Sequence, residues 1–154
     1  MKAKYKKRIR LQNFNYTGNY RYFITICTHD KKVVFLNSNI NDWIVFTLRT
    51  LADESRFAVW AYCIMPDHIH LLIEGQDDKS DMRKFIALFK QKTGYEYKQK
   101  YGESLWQINY YEHILRKDED TIEIAHYIFN NPVRKGIVEN QREYPYLGSF
   151  MFEV

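Results

Sequence analysis

The stretch from Arg56 to Gly75 restricts the fold more than any other part of the chain. It reads RFAVWAYCIM and then PDHIHLLIEG, two runs rich in apolar, aromatic and β-branched residues that meet at a Pro-Asp turn signal. So short a connection predicts an antiparallel pair, because parallel strands need a long crossover between them. Within the second run, His68 and His70 interrupt what otherwise looks like a buried strand.

Further strands and helices are predicted around this pair. The strand-like runs are 20–29 and 105–116, and the runs with helical spacing are 39–54, 81–102 and 118 to 130 or 131. Asn41 is a candidate cap for the first helix, and Pro132 should end the last one. The order β-α-β-β-α-β-α predicts an α+β fold, a ferredoxin-like split βαβ with a four-stranded antiparallel sheet and an added C-terminal helix. Since no linker or repeat divides the chain, residues 1–154 are expected to form a single domain.

The N-terminal run MKAKYKKRIR is basic and contains no acidic residue. Such a run is either a solvated terminus or an arm that neutralises phosphates, and residues 1–15 are expected to be partly flexible. The whole chain carries a net charge of +4, and 17% of its residues are aromatic. Aromatic side chains fill cores, but they also stack on unpaired bases.

The cysteine pattern and hydropathy indicate a cytoplasmic protein. Cys27 and Cys63 lie far apart and form no CxxC pair, which argues against a disulfide scaffold and suits a reducing compartment. No apolar run reaches the length of a membrane span, and the basic N-terminus lacks the apolar stretch of a signal peptide. No membrane partner is therefore expected.

His68 and His70 should share one face of their strand, with Ile69 and Leu71 on the other. Two imidazoles in this arrangement can converge on one ion, or they can be partly exposed polar positions on an open sheet face. A divalent metal site usually needs a third ligand.

The last predicted helix offers candidates for that ligand. Glu123, Tyr127 and Asn131 follow at i, i+4 and i+8, so one stripe presents a carboxylate, a phenol and a carboxamide. Alone, such a stripe is more often a solvated helix face. Beside two histidines, a phenolic nucleophile and an oxygen ligand suit phosphoryl transfer.

Three ordered blocks carry a family resemblance: MPDHIHLLIE, LWQINYYEHILR and YIFNNPVRKG. Together they resemble the HUH (His-hydrophobic-His) single-strand DNA transposases with one catalytic tyrosine, above all the branch associated with repetitive extragenic palindromes. The similarity extends over nearly the whole chain, from the basic start to NNPVRKG.

The resemblance implies a role for each site residue. His68 and His70 would hold Mg²⁺ or Mn²⁺, Asn131 would be the third ligand where insertion-sequence relatives often use glutamine, and Tyr127 would be the nucleophile. The implied reaction cleaves and transfers single-stranded or hairpin DNA through a 5′-phosphotyrosine, leaving a free 3′-hydroxyl. The sequence does not identify the base that activates the tyrosine, and relatives act as monomers or homodimers.

Several residues are candidates for contacts with DNA. Phosphate contacts are expected from the arm residues Lys4, Lys6, Lys7, Arg8 and Arg10 and from Arg116, Arg134 and Lys135, and base stacking is expected from Trp106 and Tyr110. His113 is either structural or a further DNA contact, and it is left outside the metal site. Phe129 is expected in the core.

Two other functions fit the same residues. One is a ferredoxin-like module that holds hairpin DNA or RNA without cutting it, since aromatic and basic content would serve equally well. The other is a zinc site that combines Cys63 with the histidine pair, although the spacing between Cys63 and His68 is unusual for closed zinc sites.

Overall fold

The computed structural model describes residues 14–154, and its centre is an antiparallel sheet. The strands are β1 (Arg21–Cys27), β2 (Phe57–Met65), β3 (His68–Gly75), β4 (Tyr111–Ile114) and β5 (Leu147–Gly148). The helices are α1 (Ser38–Ser55), α2 (Met82–Tyr101), α3 (Thr121–Phe129) and α4 (Asn131–Arg134), with 3-10 turns at His29–Lys31 and Gln141–Glu143. The strand order is β4-β1-β3-β2-β5.

The predicted hairpin forms the middle of the sheet. β2 and β3 form an antiparallel pair in which Met65 lies opposite His68. The other edge of β3 pairs with the whole length of β1, also antiparallel. The predicted antiparallel pair is therefore confirmed. Because β3 has a partner on both edges, His68 and His70 lie on a central strand whose backbone is held on both sides.

Helices cover both faces of the sheet. Ile69, Leu71 and Ile73 of β3 are buried on the face against α1 and α2. On the opposite face, Leu72 packs with the buried residues of α3, including Ile128. Alternate side chains of β3 thus belong to two separate hydrophobic clusters, one on each face of the sheet. His68 and His70 lie on the face that α3 covers.

The α+β prediction is confirmed, with one strand more than the four expected. β5 is only two residues long and pairs with Tyr62 and Cys63 at the edge of β2. In addition, β4 is shorter than predicted, since residues 105–110 form only an isolated bridge between Trp106 and Thr28. The Lys90 ammonium accounts for part of this difference, because it bonds the carbonyls of Gln107 and Ile108, which therefore need no strand partner.

Helix ends follow the capping rules, with one correction. Asn37, rather than Asn41, caps α1 by accepting the Asn39 and Ile40 amides. Asn41 lies inside the helix, where its buried amide donates to the Phe35 carbonyl. Among residues 14–154, no helix combines the length and the apolar character needed to cross a bilayer.

Candidate active site

His68 and His70 lie next to each other on the α3 side of the sheet. Their ring centroids are 4.7 Å apart and the ring planes are steeply inclined. Ile69 and Leu71 point to the opposite face, into the core under α1 and α2. The two imidazoles are therefore close enough to bind one ligand between them.

Each histidine ring is held by a bond to its Nδ1 atom. Nδ1 of His68 lies 2.6 Å from the Asp67 carboxylate, and Nδ1 of His70 lies 2.9 Å from the Thr25 hydroxyl. Because a carboxylate only accepts, Nδ1 of His68 carries the hydrogen and Nε2 keeps its lone pair. Ligand histidines in metal sites are oriented in this way, by a second bond on the nitrogen that does not bind the metal.

Both imidazoles favour the neutral form. Burial lowers the pKa of His70 well below its ordinary value, and the charges of His68, Arg134 and Lys135 act in the same direction. Burial also lowers the pKa of His68, although the Asp67 carboxylate opposes this effect. A neutral imidazole is the form that binds a metal ion.

Helix α3 brings a tyrosine to this face. Asp120 caps the helix by accepting the amides of Ile122 and Glu123, and Ile128 and Phe129 are fully buried against the sheet. The position before Ile128 is Tyr127, whose side chain is 42% exposed. Packing of the apolar face of α3 therefore fixes the phenol at the surface of the site.

Phe23 of β1 contacts both Tyr127 and His70. Its ring centroid is 6.2 Å from that of Tyr127 and 5.6 Å from that of His70, in edge-on contacts. The Tyr127 phenol and the His70 imidazole thus share one aromatic neighbour. Of the helix stripe that the sequence offers beside the histidines, Tyr127 therefore lies near His70 through this shared contact.

Arg134 links the tyrosine to the asparagine. Its guanidinium carbon lies 3.8 Å from the centroid of the Tyr127 ring, and Nη1 donates to the Tyr127 carbonyl at 2.8 Å. Nη2 donates to Oδ1 of Asn131 at 3.2 Å. One planar side chain therefore fixes the relative positions of α3 and α4 at the site.

Asn131 is buried, with 4% of its surface exposed. Its Nδ2 has no hydrogen-bond partner within residues 14–154, whereas Oδ1 accepts from Arg134 and retains a second lone pair. A buried amide without a partner costs about 1–3 kcal/mol. In contrast, Glu123, the first member of the predicted stripe, is exposed.

A metal ion at this site would have to be held without a cluster of acidic ligands. No group of three His, Cys, Asp or Glu side chains in the described part of the chain could hold an ion. The candidate donors are Nε2 of His68, a ring nitrogen of His70 and Oδ1 of Asn131, which also accepts from Arg134. Cys63 lies opposite His70 in the sheet, but its thiol contacts Met65, and burial raises its pKa to about 12. A zinc thiolate is therefore not favoured.

The predicted DNA contacts divide into three groups. Arg134 and Lys135 follow α3 and lie at the site. Arg116 is exposed, but it follows β4 at the end next to Arg21, away from the histidines. The arm residues Lys4, Lys6, Lys7, Arg8 and Arg10 lie outside the described residues.

The prediction that Trp106 and Tyr110 stack on bases is wrong. Trp106 and Tyr110 are buried in the core on the α1 and α2 side, where the Trp106 indole donates to Thr93 and the Tyr110 hydroxyl contacts Met82. Neither ring is on the histidine face, so the structure contradicts their expected stacking on bases. Residues 105–110 carry aromatic side chains because they cover α2.

His113 has a structural contact. Its Nε2 lies 3.0 Å from the carboxylate of Glu119, and the same carboxylate accepts the Arg116 amide at 2.7 Å. Arg21 donates to the carbonyls of Arg116 and Glu119 from β1. These bonds fix the loop that leads from β4 into α3 and hence the start of the helix that carries Tyr127.

Sequence reasoning missed the side chains that orient the site. Asp67 precedes the histidines directly, and a carboxylate next to a possible metal ligand is a signal that could have identified it. Thr25 and Phe23 gave no such signal, because both sit in an ordinary strand-like run and meet His70 only through the pairing of β1 with β3.

Comparison with known proteins identifies the family. Residues 16–131 match the family described as IS200-like transposases. A Haemophilus influenzae protein with the provisional name REP-associated tyrosine transposase is 32% identical over 143 residues, which cover 86% of this chain and 81% of that protein. The REP-associated tyrosine transposase of Escherichia coli K12 is 30% identical over 94 residues, 58% of this chain and 53% of that protein.

A solved structure has the same fold. The structure of a REP-associated tyrosine transposase bound to a REP hairpin superposes with a TM-score of 0.74 at 18% identity, covering 90% of this chain and 81% of that chain. The fold and the family predicted from the sequence are thereby confirmed. The chain therefore belongs to the IS200-like transposase family and, within it, to the REP-associated tyrosine transposases.

Proposed function

We propose that this transposase cuts and rejoins single-stranded or hairpin DNA in a metal-dependent reaction, with Tyr127 as the nucleophile. The observation that carries the proposal is the position of Tyr127, which shares the neighbouring Phe23 ring with His70 and is linked through Arg134 to Asn131. A phenol, two neutral imidazoles and a carboxamide oxygen are the groups that such a phosphoryl transfer uses.

His68 and His70 would hold Mg²⁺ or Mn²⁺ through Nε2, and Asn131 would contribute Oδ1. When bound, the ion polarises the scissile phosphate and offsets the charge that develops on its oxygens. Asp67 and Thr25 keep the imidazoles in the orientation that binding requires. The guanidinium of Arg134 adds a fixed positive charge beside the same phosphate.

The Tyr127 oxygen attacks phosphorus, and the bond between phosphorus and the 3′ oxygen breaks. A 5′-phosphotyrosine forms, the phenol loses its proton to a base, and the leaving oxygen takes one up to become a 3′-hydroxyl. Because the new ester keeps the energy of the old one, a second 3′-hydroxyl can attack it and restore both the DNA strand and the phenol. Joining therefore needs no ATP.

The DNA partner of this reaction is proposed to be a hairpin with single-stranded flanks, bound by a monomer or a homodimer. The solved relative of the same fold was captured with a REP hairpin. Arg134 and Lys135 supply positive charge at the site, which suits a polyanion. Binding without cutting is the competing function, and the experiment below separates the two.

The test is a denaturing gel of protein mixed with end-labelled hairpin oligonucleotides. With Mg²⁺ or Mn²⁺ the wild-type chain should form a covalent adduct, whereas Tyr127→Phe or an excess of EDTA should abolish it. Tyr111→Phe is the matched control, because this tyrosine also contacts Phe23, with centroids 6.5 Å apart. An adduct that persists in Tyr127→Phe would refute the assignment, and binding with no adduct in any protein would favour the non-cutting module.

A further inference from the structure

A cavity of about 350 Å³ lies beside the histidine pair, with His68 in its wall. The end of the β2–β3 hairpin forms one side, the segment after β1 forms another, and the turn after α4 forms the third. This volume is at the lower end of the range for small-ligand sites, about 300–1,000 Å³. The cavity thus adjoins the atoms that are proposed to bind the scissile phosphate.

The charges of the cavity suit an anion. Lys31 and Lys135 line it from two different segments, and both side chains are exposed. Asp67 is the acidic residue among the described lining residues, and its carboxylate is bonded to Nδ1 of His68. The two ammonium groups are therefore available to a ligand phosphate.

The remaining lining is apolar. Val33 and Ile137 line the cavity, and both side chains are exposed to water. Covering these apolar side chains with a ligand would be favourable. The backbone before Val33 is unusual, because Asp30 and Lys31 both have left-handed φ angles of 54° and 53°. Such strained conformations often occur at functional sites, and here the strained segment supplies one lysine and one apolar wall.

We infer that this cavity binds one nucleotide of the single strand, adjacent to the phosphate at the histidine pair. Its base lies against Val33 and Ile137, and its phosphate faces Lys31 and Lys135. A pocket with apolar walls and lysines at its rim matches a nucleotide, which joins a flat, largely apolar base to an anion. The inference deepens the proposed function and rests on it, since the histidine pair must face a DNA phosphate.

The test compares binding of two short oligomers of about twelve nucleotides, a length near the upper end of known single-strand site sizes (~4–16). One is oligothymidine and the other carries abasic residues throughout. Affinities are measured by fluorescence anisotropy with Mn²⁺ in a Tyr127→Phe background, in which cutting is blocked. The ratio of the two dissociation constants reports what the bases contribute to binding.

Ile137→Ala should reduce that ratio by about threefold or more, because it removes apolar surface from the wall against which the base lies. Ile122→Ala is the matched control, since Ile122 is 46% exposed against 45% for Ile137 but lies in the first turn of α3. Lys135→Ala should weaken both oligomers alike and lower the salt slope by about 0.7. Lys117→Ala, in the loop before α3, should leave both values unchanged.

Two results would overturn the nucleotide pocket: an unchanged ratio in Ile137→Ala with normal thermal unfolding, or an equal loss in Ile122→Ala. Failure of the proposed function is recognised separately, because wild-type protein would then form no adduct with hairpin DNA. The binding ratio can still identify the pocket in that case, since it requires no cleavage.

Discussion

Arg134→Ala should destabilise the fold measurably even though Arg134 is an exposed residue. The substitution removes the bond to Oδ1 of Asn131, the bond to the Tyr127 carbonyl and the contact with the Tyr127 ring. Asn131 is buried and its Nδ2 already has no partner within the described residues, so its whole carboxamide would then be unsatisfied. Each hydrogen bond contributes about 1 kcal/mol, and a cation-π contact at an exposed site contributes about 0.5–1 kcal/mol.

The expected loss is therefore about 2–3 kcal/mol in the free energy of unfolding. In urea, where the slope for a domain of this size is about 2 kcal/mol per molar, the midpoint should fall by about 1 M. Arg134→Lys should lose roughly half as much, because an ammonium keeps the charge but cannot bond both oxygens from one planar group.

Arg142→Ala is the control for the loss of an exposed arginine. Arg142 lies in the 3-10 turn near the C-terminus, and substitution of such a surface residue should change the free energy of unfolding by less than about 0.5 kcal/mol. If Arg134→Ala were as stable as Arg142→Ala, the contacts of Arg134 with Tyr127 and Asn131 would not contribute to the stability of the fold.

Other predictions concern the core, pH and thiol reactivity. Phe129→Ala should cost about 3–5 kcal/mol by thermal unfolding, because its ring is fully buried, whereas Phe46→Ala should be nearly neutral at 71% exposure. Burial lowers the pKa of His70, so the unfolded chain takes up a proton that the folded chain does not. Urea midpoints should therefore be highest above about pH 6.5 and fall as the pH decreases from there, an effect that His70→Ala should weaken. Cys63 should resist alkylation in the folded protein while Cys27 reacts, as mass spectrometry would show, because Cys63 is buried and burial raises its pKa to about 12.

The two-faced strand was predictable because its signal is local. Side chains alternate along an extended strand whatever its partners are, so the pattern of β3 alone assigned Ile69 and Leu71 to one face and the histidines to the other. The helix that carries Tyr127 was predictable for a similar reason, since its residues show helical spacing and Pro132 marks its end. Neither inference needed knowledge of the tertiary structure.

The locations of Trp106 and Tyr110 were not predictable in this way. An aromatic side chain in a strand-like run has the same composition whether it fills a core or stacks on a base. Long-range contacts decide the outcome here: Lys90 bonds the backbone of residues 107 and 108, and Thr93 accepts the Trp106 indole. Both partners lie on α2, and nothing in the 105–116 run indicates them.

The bonds of Arg134 to Tyr127 and Asn131 were not predictable either, for a different reason. Its positive charge was visible in the sequence, and a phosphate contact was the reasonable expectation. The bonds to Tyr127 and Asn131 depend on the turn at Asn130 that separates α3 from α4, since this turn brings a residue seven positions later back over the phenol. The charge of Arg134 can be read from the sequence, but its contacts depend on the backbone turn between α3 and α4.

The position of the nucleophile is a consequence of core packing. Tyr127 has no hydrogen bond that anchors its hydroxyl to another described residue, and its backbone is held by the neighbours Ile128 and Phe129, which are buried against the sheet. The loop before α3 is fixed at its other end by His113 and Arg21. A substitution at either end of α3 can therefore displace the phenol from the histidine pair without altering any residue that touches the substrate, and a slower reaction in such a variant would not by itself identify a catalytic group.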